Sequence, residues 1–218
     1  MTRVVLASAS PGRLRVLRQA GIDPLVIVSG VDEDQVVAAL PEDAEPAEIT
    51  VALARAKAGA VARALQPPLS DDCVVIGCDS MLYRDGRLWG KPESETSALR
   101  GWQEMAGQSG ALYTGHCVIR LHHDRIRLDR IEQEVSDVAV TGVDFGKPSP
   151  EDLAAYVRTG EPTAVAGGFT LDGFGGWFVD AVHGDPSTVI GIGLPLMRGL
   201  FERLGLSIGR LWADNPVR

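Results

Sequence analysis

Three side chains that can bind an anion, Ser8, Ser10 and Arg13, lie within the stretch LASASPGR at residues 6–13. This stretch follows the apolar run RVVLA and leads into PGRLRVLRQA, which predicts a strand followed by a helix capped by Ser10. Unsatisfied N–H groups at a helix start favour anions, and an arginine fork matches phosphate geometry. Either the stretch binds phosphate, or Ser10 only caps the helix and Arg13 is a solvated surface charge.

A carboxylate and a lysine, Asp79 and Lys91, flank a predicted hairpin. Asp79 follows the apolar run CVVIGC, which predicts a buried strand, and ligand sites of α/β folds commonly lie beyond strand ends. The Asp85-Gly86 pair suits a two-residue turn. Because that register places Asp79 and Lys91 on opposite faces, a bulge or a loss of pairing near Gly90 is needed to bring both to one site. Otherwise Asp79 is a turn residue and Lys91 a solvated cation.

Acidic residues cluster at Asp32, Glu33 and Asp34, one residue after the apolar PLVIVSG. One or two such carboxylates can hold Mg²⁺, although a hydrated loop has the same composition. Lys57 lies within the alanine-rich LARAKA, in a predicted helix where exposed lysines are ordinary. These residues are therefore candidates that need a structural context.

The elements that must position these residues alternate between strands and helices. Apolar periodicity and capping residues predict further helices at about 47–65, 94–106, 150–159 and 195–204, and long strands at about 112–121 and 125–145. The result is a mixed α/β protein with a long central sheet, expected to form a single domain over residues 1–218.

Composition excludes several functional classes. The chain has 218 residues, 45% of them hydrophobic, and a net charge of −8, which argues against nonspecific nucleic-acid binding. Neither a signal peptide nor an apolar stretch of about 20 residues is present, so we expect a cytoplasmic protein that does not enter membranes. The three cysteines form no CxxC pair, which favours buried apolar roles over a disulfide framework or a zinc site.

A series of short motifs resembles the Maf family of nucleotide pyrophosphatases. In chain order they are LASASPGR, VDE at residues 31–33, LARAKA, GCDS, GKP, YTGH at residues 113–116, YVRTGEP, AGGFTLDGFGG and VIGIGLPL. Together they cover almost the whole chain. The resemblance implies a Maf/inosine-triphosphatase-like fold, with an elongated mixed sheet, flanking helices and a cleft between two lobes.

The resemblance also implies hydrolysis of a nucleoside triphosphate, canonical or modified, to the monophosphate and pyrophosphate. By matching positions, Asp79, Lys91 and Glu33 take catalytic places, and Glu33 and Asp79 would hold a divalent metal cation, Mg²⁺ or Mn²⁺. The substrate-binding places fall on Ser8, Ser10, Arg13, Lys57, Ser80 and Asp172. A homodimer is a further expectation from the family.

The chain departs from the family pattern at three positions that bear on base specificity. Gly12 replaces the second arginine of the common SPRR, Ser80 stands where members acting on dTTP and UTP have threonine, and Asp172 stands where they have glutamine. An ionised Asp172 can only accept hydrogen bonds, which favours bases that present N–H donors. We therefore expect an enzyme that is not a strict dTTP/UTP hydrolase, unless Asp172 faces solvent and backbone groups recognise the base.

The alternative function is a nucleotide-sensing regulator of cell division and septum formation that acts through a protein partner. Sensing alone does not require a carboxylate that orients water. Asp79, Glu33 and Lys91 therefore favour the enzyme.

Overall fold

A computed structural model describes residues 1–123 and 130–217 and divides the chain into two compact units. The first unit comprises Met1–Asp79, Gly115–Ala139 and Leu194–Arg218, and the second comprises Ser80–Thr114 and Val140–Gly193. Among the described residues, no helix combines the length and the apolar character needed to cross a membrane.

The described residues form strands, helices and short 3₁₀ turns. The strands are β1 Arg3–Leu6, β2 Leu25–Val26, β3 Asp72–Arg84, β4 Arg87–Trp89, β5 Ser109–His123, β6 Arg130–Phe145 and β7 Val179–His183. The helices are α1 Pro11–Gln19, α2 Glu33–Ala38, α3 Pro46–Ala64, α4 Glu95–Met105, α5 Pro150–Arg158, α6 Pro186–Ile190, α7 Leu194–Arg203 and α8 Ile208–Asp214.

The strands form one seven-stranded sheet in the order β2-β1-β3-β5-β6-β7, with β4 paired to β3. Strand β1 runs parallel to β2 and β3, whereas β4 is antiparallel to β3 and β7 is antiparallel to β6. The prediction of a mixed α/β fold is therefore confirmed. The cleft between lobes and the single-domain organisation stay predictions.

Helix α3 packs closely on the sheet in the first unit. Ala54 and Ala58 are fully buried on its inner face, against Val75 and Cys117 of β3 and β5. A Cβ at Gly77 of β3 would collide with the Ala54 carbonyl oxygen and lie 2.8 Å from the Ala58 nitrogen. Small residues on both surfaces thus allow the backbones of α3 and β3 to approach each other.

An aromatic cluster around Trp102 of α4 forms the core of the second unit. Its ring lies edge-on to Phe145, Tyr156 and Phe178, with centroids 5.7–5.8 Å apart. The Trp102 indole N–H donates to the Gly168 carbonyl oxygen at 2.7 Å. Trp102 is fully buried, so this bond connects Gly168, within the motif AGGFTLDGFGG, to the core.

The region around Asp79 differs from the prediction in one respect. Strand β3 does not end before Asp79 but continues to Arg84, so Asp79 lies inside a 13-residue strand. The predicted hairpin turn is confirmed, because Asp85 and Gly86 have φ of 51° and 77°. Pairing of β3 with β4 ends at Trp89. Pairing is therefore lost near Gly90, as a shared site for Asp79 and Lys91 would require.

The acidic residues 32–34 form a helix start and not a loop. Asp32 caps α2 by accepting a hydrogen bond from the Gln35 N–H at 3.1 Å, and two acidic residues lie in the first turn, near the positive end of the helix. The short elements β2, α6 and α8 were not predicted, because two to seven residues give little periodicity. The predicted strand residues 125–129 lie outside the described residues.

Candidate active site

The junction between β1 and α1 brings Ser8 and Arg13 into contact. Arg13 Nη1 donates to Ser8 Oγ at 3.0 Å, and the Ser10 N–H donates to the same oxygen at 3.2 Å. Ser10 Oγ accepts from the Arg13 N–H at 3.4 Å, as expected for the helix cap. Ser8 and Arg13 are only 7% and 9% exposed, so the alternative that Arg13 is a solvated surface charge is wrong.

Lys57 of α3 holds two carboxylates at once. Its Nζ lies 2.6 Å from Asp79 Oδ1 and 2.8 Å from Glu33 Oε1. The side chains of Lys57 and Asp79 are 10% and 9% exposed, whereas that of Glu33 is 52% exposed. Lys57 is therefore not an ordinary solvated helix lysine, and two predicted catalytic residues converge on its ammonium group.

The close approach of α3 to the sheet explains this contact. Gly77 lies two residues before Asp79, and Ala58, which packs over Gly77, follows Lys57 directly. At Gly115 of β5 a Cβ would collide with the Thr50 backbone of the same helix. Two glycines thus set the distance across which the lysine reaches the carboxylate.

Burial has the largest effect on the pKa of Asp79. Removal from water raises the pKa of its carboxyl group, and the positive charges of Lys57 and Arg13 oppose this rise only in part. Burial also raises the pKa of the neighbouring Cys78 thiol to about 11, so this thiol stays neutral. Burial therefore increases the proton affinity of both neighbouring groups, Asp79 and Cys78.

The two carboxylates around Lys57 have the chemistry of a partial site for a hard divalent cation. Within residues 1–123 and 130–217, no group of three or more His, Cys, Asp or Glu side chains is arranged to hold a metal ion alone. Mg²⁺ commonly uses one or two carboxylates together with substrate phosphates and water. Since Glu33 and Asp79 already meet at one positive charge, the pair fits this pattern.

Of the remaining predicted site residues, Gly12 belongs to the first unit, whereas Ser80, Lys91 and Asp172 belong to the second. Gly12 is the second residue of α1. In the second unit, Ser80 and Thr114 share a hydrogen bond between hydroxyls at 3.0 Å, and Lys91 and Asp172 are exposed. Lys91 lines a surface groove of about 410 Å³ between β4 and α4. The predicted roles of Ser80, Lys91 and Asp172 beside Asp79 stay predictions.

Two residues with structural roles were missed at the sequence level. The sequence indicated Gly77 only as part of a buried strand, although glycine inside a strand often marks a close backbone approach. Glu161 was indicated only as part of the motif YVRTGEP, although its carboxylate accepts hydrogen bonds from the Phe174 and Gly175 N–H groups. Neither role could be derived without the packing partner.

Comparison with known proteins agrees with the motifs. Residues 3–204 match the family described as Maf-like protein. The chain is 60% identical over 217 residues to a protein of Mycobacterium leprae (strain Br4923), with 100% of both chains covered, and 56% identical over 220 residues to one of Mycobacterium marinum, again covering 100% of both. A third relative, from Nocardia farcinica, is 57% identical over 215 residues, which cover 99% of this chain and 98% of the relative.

All three relatives carry the name nucleoside triphosphate pyrophosphatase. The family match covers most of the chain, and the relatives match it nearly end to end. The chain therefore belongs to the Maf-like protein family.

Proposed function

We propose that this chain hydrolyses nucleoside triphosphates to the nucleoside monophosphate and pyrophosphate. The observation that carries the proposal is the buried Asp79 carboxylate, held 2.6 Å from Lys57 Nζ and sharing that ammonium group with Glu33. The names of the relatives support the same reaction.

Asp79 acts as the general base in this reaction. The oxygen of a water molecule forms a bond to the α-phosphorus, the bond from that phosphorus to the bridging oxygen breaks, and pyrophosphate leaves. The Asp79 carboxylate takes the proton of the attacking water. Its raised pKa brings its proton affinity closer to that of an effective base at neutral pH.

The β1–α1 junction binds phosphate oxygens. Ser8 and Arg13 are already held in a fixed arrangement by the 3.0 Å contact between them, so little side-chain freedom is lost when substrate binds. The Arg13 fork and the N–H groups of the first turn of α1 supply donors for phosphate, and Ser10 supplies a hydroxyl. We propose that Lys57 and Lys91 also contact phosphate oxygens of the substrate.

Glu33 and Asp79 are the residues that would hold Mg²⁺ or Mn²⁺. When bound with substrate, the cation would neutralise charge on the phosphate oxygens and polarise the phosphorus. The half-exposed position of Glu33 leaves its carboxylate accessible from solvent, while the buried Asp79 keeps a fixed orientation. Lys57, which balances both carboxylates in this structure, would then be able to contact a phosphate oxygen.

Pyrophosphate release from a panel of nucleoside triphosphates, with Mg²⁺ or Mn²⁺ and with EDTA, tests the function. We expect release that is abolished by EDTA and restored by the added metal, and in ¹⁸O-labelled water the label should appear in the monophosphate. Label in the pyrophosphate would contradict attack at the α-phosphorus, and full activity in EDTA would contradict the metal. Nucleotide binding with no hydrolysis of any nucleotide would instead support the sensor.

Base preference depends on Gly12, Ser80 and Asp172. We propose that Asp172 accepts hydrogen bonds from the base and that Gly12 leaves room for a larger one, so that other or modified nucleotides are hydrolysed at rates comparable to those of dTTP and UTP. The same panel measures this preference through kcat/KM. A preference of about tenfold or more for dTTP and UTP over every other nucleotide, some 1.4 kcal/mol in transition-state binding, would contradict it.

A further inference from the structure

The glycine-rich loop of the second unit, defined here as residues 170–176, wraps around a carboxylate of the same chain. This carboxylate belongs to Glu161, which begins the 3₁₀ turn Glu161–Ala164 after α5. The loop contains Asp172, the predicted specificity residue. The conformation of the loop therefore decides where Asp172 lies.

Both oxygens of Glu161 accept hydrogen bonds from the loop. Oε1 accepts from the Thr170 hydroxyl and from the Gly175 N–H at 3.0 Å, and Oε2 accepts from the Phe174 N–H at 3.1 Å. The Thr170 oxygen in turn accepts from the Gly175 N–H at 3.2 Å. One side chain thus connects residues on both sides of Asp172.

The glycines of the loop allow the backbone to come this close. A Cβ at Gly173 would collide with the Glu161 carboxylate, and a Cβ at Gly175 would lie 2.5 Å from the Tyr156 hydroxyl oxygen. At Gly176 a Cβ would lie 2.6 Å from the Leu171 carbonyl oxygen. The glycines therefore allow close packing within this segment, and Gly173 makes room for the Glu161 carboxylate itself.

Glu161 keeps its negative charge over the physiological pH range. Partial burial alone would raise its pKa, but the hydrogen bonds from Thr170, Gly175 and Phe174 outweigh burial and hold the pKa below its usual range. Charge-assisted hydrogen bonds of this kind are stronger than neutral ones. The loop consequently has a fixed and permanent anchor.

We infer that Glu161 is a positioning residue that fixes the glycine-rich loop and thereby places Asp172 against the base of the nucleotide. The inference rests on the proposed function, because it assigns a residue to substrate recognition in that reaction. Glu161 itself need not touch the substrate.

Glu161→Gln is the informative variant, since it preserves shape but turns an amide N–H₂ toward one of the loop N–H groups. Glu151→Gln is the matched control, because Glu151 is exposed in the first turn of α5 in the same unit. Thr170→Val removes one donor and keeps the Glu161 charge, so it provides a milder second variant should Glu161→Gln fold poorly.

Amide hydrogen exchange measures the anchor without any need for activity. In Glu161→Gln we expect the amides of Phe174 and Gly175 to exchange roughly tenfold faster than in the wild type, because a hydrogen bond to a charged acceptor is lost. Thr170→Val should show a smaller change in the same direction. Rates equal to those of Glu151→Gln would overturn the inference.

Kinetics measure the consequence for the substrate. Glu161→Gln should raise KM roughly tenfold while kcat stays within about threefold, a split that general loss of folding would not produce. In an Asp172→Ala background the same substitution should change KM less than about twofold, because the two residues act in series. Equal effects of Glu161→Gln in both backgrounds would overturn the inference.

The hydrogen-exchange and kinetic experiments together distinguish failure of this inference from failure of the proposed function. If the wild type releases pyrophosphate from no nucleotide, the proposed function fails, and the exchange rates alone decide whether Glu161 fixes the loop. If the wild type is active and the exchange rates or KM do not respond, the positioning role fails and the proposed function stands.

Discussion

Two carboxylates of this chain, Asp79 in the first unit and Glu161 in the second, are surrounded in opposite ways. Asp79 is 6% exposed and contacts the ammonium group of Lys57, and burial raises its pKa. Glu161 is half-buried and accepts three hydrogen bonds from the glycine-rich loop, which lower its pKa despite the burial.

The difference distinguishes the carboxylate proposed as the general base from the carboxylate proposed as a loop anchor. A group that takes a proton during a reaction needs an environment that keeps its neutral form accessible, which burial provides. A group that holds a loop needs its charged form fixed, which backbone donors provide. Both residues occur in motifs, so only their surroundings distinguish the two roles.

Removing the ammonium group from the Asp79 cluster should have the largest effect on stability. Lys57→Met leaves the buried Asp79 without its cation, and we expect the free energy of unfolding at pH 7 to fall by about 3 kcal/mol. The deficit should shrink as pH falls, because the isolated carboxyl group can then protonate. Urea unfolding at pH 7 and pH 5 measures both effects.

Lys147→Met is the control for this variant, since Lys147 is exposed. It should stay within about 0.5 kcal/mol of the wild type. A deficit of Lys57→Met that is the same at both pH values would contradict the buried-charge explanation.

Increasing the distance between α3 and β3 should have the next largest effect on stability. Gly77→Ala places a methyl group against the Ala54 carbonyl oxygen, so we expect a loss of about 2 kcal/mol and a slower reaction as Lys57 moves from Asp79. Gly199→Ala in α7 is the control, because its Cβ would meet no described atom within 4 Å and alanine favours helices by about 0.5–1 kcal/mol. Thermal unfolding and pyrophosphate release together check this prediction, which a Gly77→Ala protein with wild-type stability would refute.

Neutralising Asp79 or Glu161 should have the smallest effects on stability, and the two effects should have opposite signs. Since the folded-state pKa of Asp79 is raised, its contribution to stability is present at low pH and is lost as pH rises through the raised value, so Asp79→Asn should gain about 1 kcal/mol at pH 7. The contribution of Glu161 is present above its ordinary pKa and is lost as pH falls through the lowered value.

Glu161→Gln should therefore lose about 1 kcal/mol at pH 7, a value kept small by solvent screening at this half-buried position. Thermal unfolding of both variants at pH 7 makes the measurement. Shifts of the same sign would remove the distinction between the two carboxylates.

The sequence predicts the local part of this arrangement well. The caps at Ser10 and Ser149 and the turn at Asp85-Gly86 depend on neighbouring residues, and all occur in the structure. The extension of β3 through Asp79 was missed, because local patterning suggested a strand end where pairing partners extend the strand.

The contacts of the site were less predictable than its residues. Motifs indicated Lys57, Asp79 and Glu33 separately. Asp79 and Glu33 are 22 and 24 positions away from Lys57 in the sequence, and the contact depends on two glycines of the sheet that allow α3 to approach it. Likewise, the contact between Glu161 and the segment that contains Asp172 became visible only through hydrogen bonds across 9 to 14 residues.

The rate of pyrophosphate release by Asp79→Asn tests the central assignment most directly. Thermal unfolding of the same variant is the control, because a lost rate in a protein as stable as the wild type cannot be attributed to unfolding. We predict that kcat falls by about 100-fold or more while KM changes by less than about threefold, as for the loss of a general base. A kcat within about threefold of the wild-type value would contradict the assignment of Asp79 as the reactive carboxylate.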